Sequence, residues 1–231
     1  MSRTPIVIKI SGSFIQPDKP DAIRNFSNVL IELWESGYRP AVVVGGGNTA
    51  RDYINAARKL GGNESVLDLI GIEVTRLNAY LLILSLGSYA VPYPLESIND
   101  ILKVKDDPLE RIIVMGGLQP GQSTNAVSAI LAEVIGAKNI INVTKVDGIY
   151  DKDPLLNKDA KLIKKITTLQ LRELLKQHSS EAGKYELFDP LSLSIIERSK
   201  LIVKVISGKD PENIKKAFTE EVGSVILPSD F

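Results

Sequence analysis

The hydrophobic pattern alternates between short apolar runs and longer amphipathic ones from end to end. PIVIKI (5–10) predicts a short apolar strand. Over 22–36, apolar side chains recur at Ala22, Ile23, Phe26, Val29, Leu30, Leu33 and Trp34, a helical stripe that Gly37 closes. AVVV (41–44) predicts a strand, and NTARDYINAARKL (48–60) a helix with Asn48 as its N-cap. Residues 65–86 form one long or broken helical region. A weak strand at 89–93 and a charged linker follow. RIIVMGG (111–117) and NIINVT (139–144) then predict strands on either side of a helix over 125–137.

The last third continues the alternation. Thr167-Thr168-Leu169-Gln170 reads as a capping box that opens a helix over 168–177. Asp189-Pro190 and Asp210-Pro211 each resemble an N-cap with proline at the first helical position. LIVKVIS (201–207) and GSVILP (223–228) predict further strands. Such alternation belongs to the α/β class, a largely parallel sheet covered by helices on both faces. The polar stretch 147–165 marks a loop or a lobe boundary.

Composition narrows the functional classes. The 231 residues suffice for one α/β domain or two small lobes. Lys plus Arg and Asp plus Glu both number 28, without a block of like charge, which argues against a nucleic-acid or membrane-surface partner. The absence of cysteine excludes disulfides and thiolate metal sites. The first apolar run is too short for a signal peptide and is broken by Lys9. No stretch reaches the ~18 uninterrupted apolar residues of a membrane span. The nearest, LNAYLLILSLGSYAV (77–91), reads as a buried helix leading into a strand. A soluble, intracellular protein is expected.

Candidate chemistry collects where predicted strands end: IVIKI-SGS, AVVV-GGGN, IIVM-GGLQPGQST and INVT-KVDG. In an open α/β sheet these carboxyl ends face one crevice. Three successive glycines, Gly45, Gly46 and Gly47, before a helix let backbone amides approach a ligand. The helix start adds unpaired N–H groups suited to phosphate. A tight turn with no ligand is the alternative. Lys9 interrupts an apolar strand, where an unpaired ammonium is costly to bury; otherwise it is an edge-strand lysine reaching solvent. Lys145 follows INVT at the parallel position, and its alternative is a solvated loop lysine. His178, the one histidine, lies in a polar run and reads as a solvated loop residue. Ser-His-Asp, Cys-His and zinc chemistries are therefore disfavoured. A Walker A loop is absent, since Gly183-Lys184 and Gly208-Lys209 lack the following Ser or Thr. Gly45, Gly47 and Ala50 match a dinucleotide fingerprint, but the stretch that should supply its second strand and acidic residue has helical spacing.

IVIKISGS, VVVGGGNTAR, LDLIGIEVTRLNAYLL, VMGGLQPGQSTNAVSA and NVTKVDGIYDKDP together resemble the amino acid kinase family over nearly the whole chain. GGLQPGQST is similar to the acceptor loop of its archaeal UMP-phosphorylating branch rather than to the bacterial GNP-type loop. The resemblance implies a three-layer αβα sandwich with a mainly parallel central sheet. It implies one domain over 1–231, with 1–140 mainly binding the acceptor and 141–231 mainly binding ATP. It further implies ATP with Mg²⁺ bound to it, UMP as acceptor, feedback by UTP, and a homohexamer. Carried over, Lys9 and Lys145 act on the transferred group. Lys9, Gly12, Ser13, Gly47, Arg51, Thr144, Tyr150 and Asp153 hold ATP. Gly46, Asp68, Leu118, Gln119, Pro120, Gly121, Gln122, Ser123 and Thr124 hold UMP. An isopentenyl phosphate kinase, a kinase of small acids and a non-catalytic nucleotide-binding protein remain as alternatives.

Overall fold

The computed structural model describes residues 2–154, 156–178 and 188–229, leaving aside the side chains of 177 and 178. The elements run β1 (Thr4–Ile10), α1 (Pro20–Glu35), β2 (Tyr38–Val44), α2 (Gly47–Lys59), α3 (Glu64–Leu86), α4 (Ile98–Val104), β3 (Ile113–Met115), α5 (Thr124–Ile135) and β4 (Asn139–Thr144). There follow β5 (Ile149–Tyr150), β6 (Leu162–Ile163), β7 (Lys165–Thr167), α6 (Thr168–His178), α7 (Pro190–Arg198), β8 (Ile202–Ser207), α8 (Asn213–Thr219) and β9 (Ser224–Leu227).

Seven strands form one sheet in the order β3-β2-β1-β4-β8-β9-β7. All neighbours pair in parallel except β8 and β9. Successive strand residues point to opposite faces, so each buried strand feeds two cores. Ile6, Ile8, Ile10, Val42 and Val44 join α1, α3 and α8 on one face. Val7, Val43, Ile140 and Val205 join α5 and α7 on the other. The sandwich expected from the pattern is present, with helices on both faces of a mainly parallel sheet.

Local signals explain most boundaries. Thr167 N–H donates to Gln170 Oε1 (2.9 Å) and Gln170 N–H to Thr167 Oγ1 (3.2 Å), the reciprocal pair of a capping box. Asp189 caps α7 by accepting from Ser192 N–H, with Pro190 in its first turn. Asp210-Pro211 behaves differently: Asp210 Oδ1 accepts from Glu212 N–H (3.0 Å), a turn forms, and α8 starts only at Asn213. The weak strand at 89–93 is not formed. A short 3-10 turn at Gly87–Tyr89 and a lone bridge from Ala90 to Ile112 take its place. The charged linker contains α4, capped by Ser97, whose side chain accepts from Asp100 N–H. The polar stretch 147–165 holds the β5–β6 hairpin. His178 is the last residue of α6 in its backbone, and its side chain, like Gly183-Lys184, falls outside the described residues.

α3 is one continuous helix of 23 residues, capped by Asn63. By length and composition alone it could cross a membrane. In the fold, Leu67, Val74, Ala79, Leu82 and Leu86 are buried, and it packs on α1, α2, β2 and β3. Its continuation at 87–91 is turn and bridge rather than the strand expected.

Candidate active site

The chain runs from β1 outward through β2 to β3, then returns to lay β4 on the other side of β1. Loops diverge at such a reversal and leave a crevice above the carboxyl ends of the strands. Ile10, Val44 and Val143 are level in register at that edge, as are Thr144 and Ser207. A cavity of about 590 Å³ at the opposite edge is lined by Arg3, Arg39, Asp107 and Glu110 among others. There Arg3 pairs with Glu110, Asp107 with Arg111, and Arg39 donates to main-chain oxygens including Val104 O (2.8 Å). The charged groups of that cavity are engaged with the protein itself.

In the crevice, the loops after β1 and β2 meet backbone to backbone. A Cβ on Gly12 would lie under 3.0 Å from Gly45 O and Gly47 N. One on Gly47, whose φ is +65°, would strike Gly12 O. Gly45 N–H donates to Ile10 O (3.0 Å) and Ser11 N–H to Val143 O (3.0 Å), pinning both loops to strand ends. Loop contact is thus a reason for these glycines that the sequence pattern does not reveal. It also corrects the start of the helix. α2 begins at Gly47 with Gly46 in the cap position and no side-chain cap. Asn48 lies inside the first turn, where its Oδ1 accepts from Arg51 Nη1 (3.1 Å). The loop contact fixes where the helix starts, so glycine stands where a capping side chain was expected.

α3 braces both glycine loops from behind. Asn78 Nδ2 donates to Gly45 O (3.0 Å). Thr75 Oγ1 accepts from Gly117 N–H (2.7 Å) and donates to Ile72 O (2.6 Å). Both side chains are buried. A Cβ on Gly116 would collide with Thr75, so the glycines after β3 let the helix lie against the strand end. Sequence reading gave Thr75 and Asn78 no role. Their signal is present in TRLNA, as uncharged polar residues on the otherwise apolar buried face of the helix.

The acceptor-loop residues separate by environment. Gln119, Pro120 and Gly121 are exposed, while Leu118 packs at the margin of the core. Gly121 N–H donates to Oδ2 of the exposed Asp68 (2.8 Å), tying this loop to α3. Ser123 caps α5, accepting from Ala126 N–H (3.1 Å), and donates to Asp189 Oδ2. Thr124 opens α5. Gln122 is half-buried, and its Oε1 has no hydrogen-bond partner among the described residues.

Lys9 lies on an interior strand, which rules out the edge-strand reading. Its side chain is half-buried, and desolvation, with no charged partner contributing, pulls its ammonium from the ordinary 10.5 down to about 8. Lys145 is exposed one residue past β4, on the strand adjacent to β1. Nearby, Thr144 is buried and donates from Oγ1 to Val146 O (2.8 Å). Tyr150 Oη donates to Asp147 Oδ2 (3.4 Å), and burial followed by this carboxylate pushes its phenol up. Asp153 O accepts from Asn157 N–H (2.9 Å) and closes the turn after β5. Ser13 is buried with its Oγ 3.0 Å from Ser11 Oγ.

A desolvated cation, glycine backbone and the starts of α2 and α5 meet at one sheet edge, an arrangement suited to phosphorylated ligands. The chain belongs to the amino acid kinase family, whose model matches residues 4–207. It is 47% identical over 227 residues to the uridylate kinase of Hyperthermus butylicus, covering 98% of this chain and 99% of that protein. It is 44% identical to the uridylate kinase of Sulfolobus acidocaldarius, over 96% of this chain and 99% of that one. Among solved structures, uridylate kinase from Archaeoglobus fulgidus superposes with a TM-score of 0.82 at 39% identity, over 96% and 99% of the two chains.

Proposed function

We propose that this chain is an ATP-dependent UMP kinase that transfers a phosphoryl group reversibly to UMP, giving UDP and ADP for pyrimidine nucleotide synthesis in the cytoplasm. The observation that carries the reading is the desolvated Lys9 beside the glycine cradle, in a chain whose relatives are named uridylate kinase. The acceptor is itself a phosphate oxygen, so no base is needed to remove a proton. Catalysis reduces to alignment and charge neutralisation.

In this reading Lys9 and Lys145 face the transferred group. Gly12, Ser13, Gly47, Arg51, Thr144, Tyr150 and Asp153 hold ATP, mainly from 141–231 and the first two loops. Gly46, Asp68 and residues 118–124 hold UMP. Among the described residues no group of three or more acidic or histidine side chains gathers to hold a metal ion. Ammonium and amide donors fit phosphate oxygens rather than a metal ion, so a metal would arrive already bound to the nucleotide. Mg²⁺ carried by ATP supplies further charge neutralisation on the phosphates.

The deciding experiment follows ADP release with UMP, CMP, AMP and isopentenyl phosphate in turn. Release that requires UMP is expected. Release driven by isopentenyl phosphate, or nucleotide binding without release, would replace this reading with another. Asp68→Asn is expected to raise the KM for UMP several-fold more than that for ATP. Equal effects on both substrates would reduce Asp68 to a brace for the loop.

The same proposal includes a homo-oligomer, a hexamer by family resemblance, with UTP acting as feedback inhibitor. Its support is the outer face of α3. Val66, Leu69, Leu77, Tyr80 and Leu84 are 43%, 47%, 63%, 44% and 76% exposed, recurring along one stripe that the fold leaves uncovered. Light scattering is expected to give a multiple of 25.2 kDa, reduced by the double change Leu77→Glu and Leu84→Glu. A fully active 25.2 kDa species would end the oligomer claim.

A further inference from the structure

Across four strands, one row of register partners reads Val43, Lys9, Asn142, Val205. The row lies on the face covered by α5, where Val43, Val205 and the flanking Val7 and Ile140 are core residues. Two polar side chains therefore stand one strand spacing apart, about 4.8 Å, in an apolar layer. Each is incomplete. Lys9 is desolvated with no charged partner contributing. Asn142 is 1% exposed, and its Oδ1 has no hydrogen-bond partner among the described residues. A buried acceptor left unpaired is costly, so such an atom calls for a use. The other end of the amide is occupied: Nδ2 donates to Asn125 Oδ1 (3.1 Å), in the first turn of α5. That bond leaves the oxygen, rather than the NH₂ group, available to a cation.

We propose that Asn142 is a positioning residue for Lys9: with phosphates in the crevice, its Oδ1 accepts one N–H of the ammonium, and the other two point at the transferred phosphoryl group. The inference rests on the reading of Lys9 as a lysine that faces that group. An ammonium carries three donors on a flexible stem, so one fixed acceptor restricts where the remaining two aim. Asn125 belongs to the helix that follows the acceptor loop. Two amides thus connect the start of that helix to the cation.

A double-mutant cycle tests the connection. Asn142→Leu keeps the branched heavy-atom shape and removes both polar ends of the amide. It is expected to lower kcat roughly 10- to 100-fold, the scale of a small misplacement of a catalytic group. Both KM values stay within about twofold, because ground-state binding is untouched. In a Lys9→Met background the same change costs nothing further, since its effect passes through Lys9. A wild-type kcat for Asn142→Leu, or an equal loss in both backgrounds, overturns the proposal while leaving Lys9 in place. A Lys9→Met protein with unchanged kcat overturns instead the reading on which it rests. Should N142L not fold, Asn142→Ala and Asn125→Ala replace it in the same cycle with the same outcomes.

Discussion

Lys9→Met is expected to lower kcat by about 10²-fold or more, the size of one lost preorganised contact to developing charge. Its pH behaviour makes the expectation specific. In the ligand-free protein burial holds the ammonium at about 8, below its ordinary 10.5. Above pH 8 the free enzyme loses this positive charge, so kcat/KM should fall there, and Lys9→Met should abolish that limb. Bound phosphates favour the charged form, so the corresponding limb of kcat lies at higher pH. Stability moves the opposite way. Folding lowers the affinity of Lys9 for its proton, so the cost of burying the charge is fully present below pH 8. It is relieved as pH rises from 8 towards 10.5. Lys9→Met should therefore raise Tm at neutral pH while removing activity. A variant of unchanged kcat and unchanged Tm would remove Lys9 from both accounts.

Gly12→Ala carries the second large effect. The new methyl group would meet backbone atoms of Gly45 and Gly47, which cannot turn aside as a flexible side chain can. A destabilisation of roughly 3 kcal/mol is expected, at the upper end for forced overpacking. A loss of kcat/KM for both nucleotides should accompany it, because the two loops shift together. Gly37→Ala is the control: its φ is +91°, but a Cβ there meets nothing within 4 Å. Backbone strain alone should cost about 1 kcal/mol. Urea denaturation compares the two, and equal midpoints would show that the loops part freely.

The hydrophobic pattern made the α/β layering legible because both periodicities are strong, as in PIVIKI and in the stripe from Ala22 to Trp34. The candidate site at the strand ends was legible for a similar reason: Lys9 is a lone charge in an apolar strand, and glycines punctuate the exits. What escaped depends on contacts between distant segments. Asn48 has the composition of a cap, yet the encounter of Gly12 with Gly47 decides where α2 begins. Asp210-Pro211 has the same composition as Asp189-Pro190, but its carboxylate is drawn to Glu212 N–H and to Lys216, so a turn precedes α8. α4 spans only 7 residues and shows too little periodicity to stand out from the charges around it. Thr75, Asn78 and Asn142 acquire meaning only when the loops or strands beside them are known.

The position of β1 has a consequence for synthesis of the chain. β1 precedes all of its partners along the chain, and β2 pairs one of its edges within a few dozen residues. The other edge belongs to β4, which begins at Asn139. Until β4 has left the ribosome, an apolar strand containing Ile6, Val7 and Ile8 therefore keeps one side open to any other strand. Such an edge invites intermolecular pairing, and a charge within it discourages that. Lys9 is the one charged residue in β1. The lysine proposed to face the transferred phosphoryl group is thus also the charge expected to discourage such pairing.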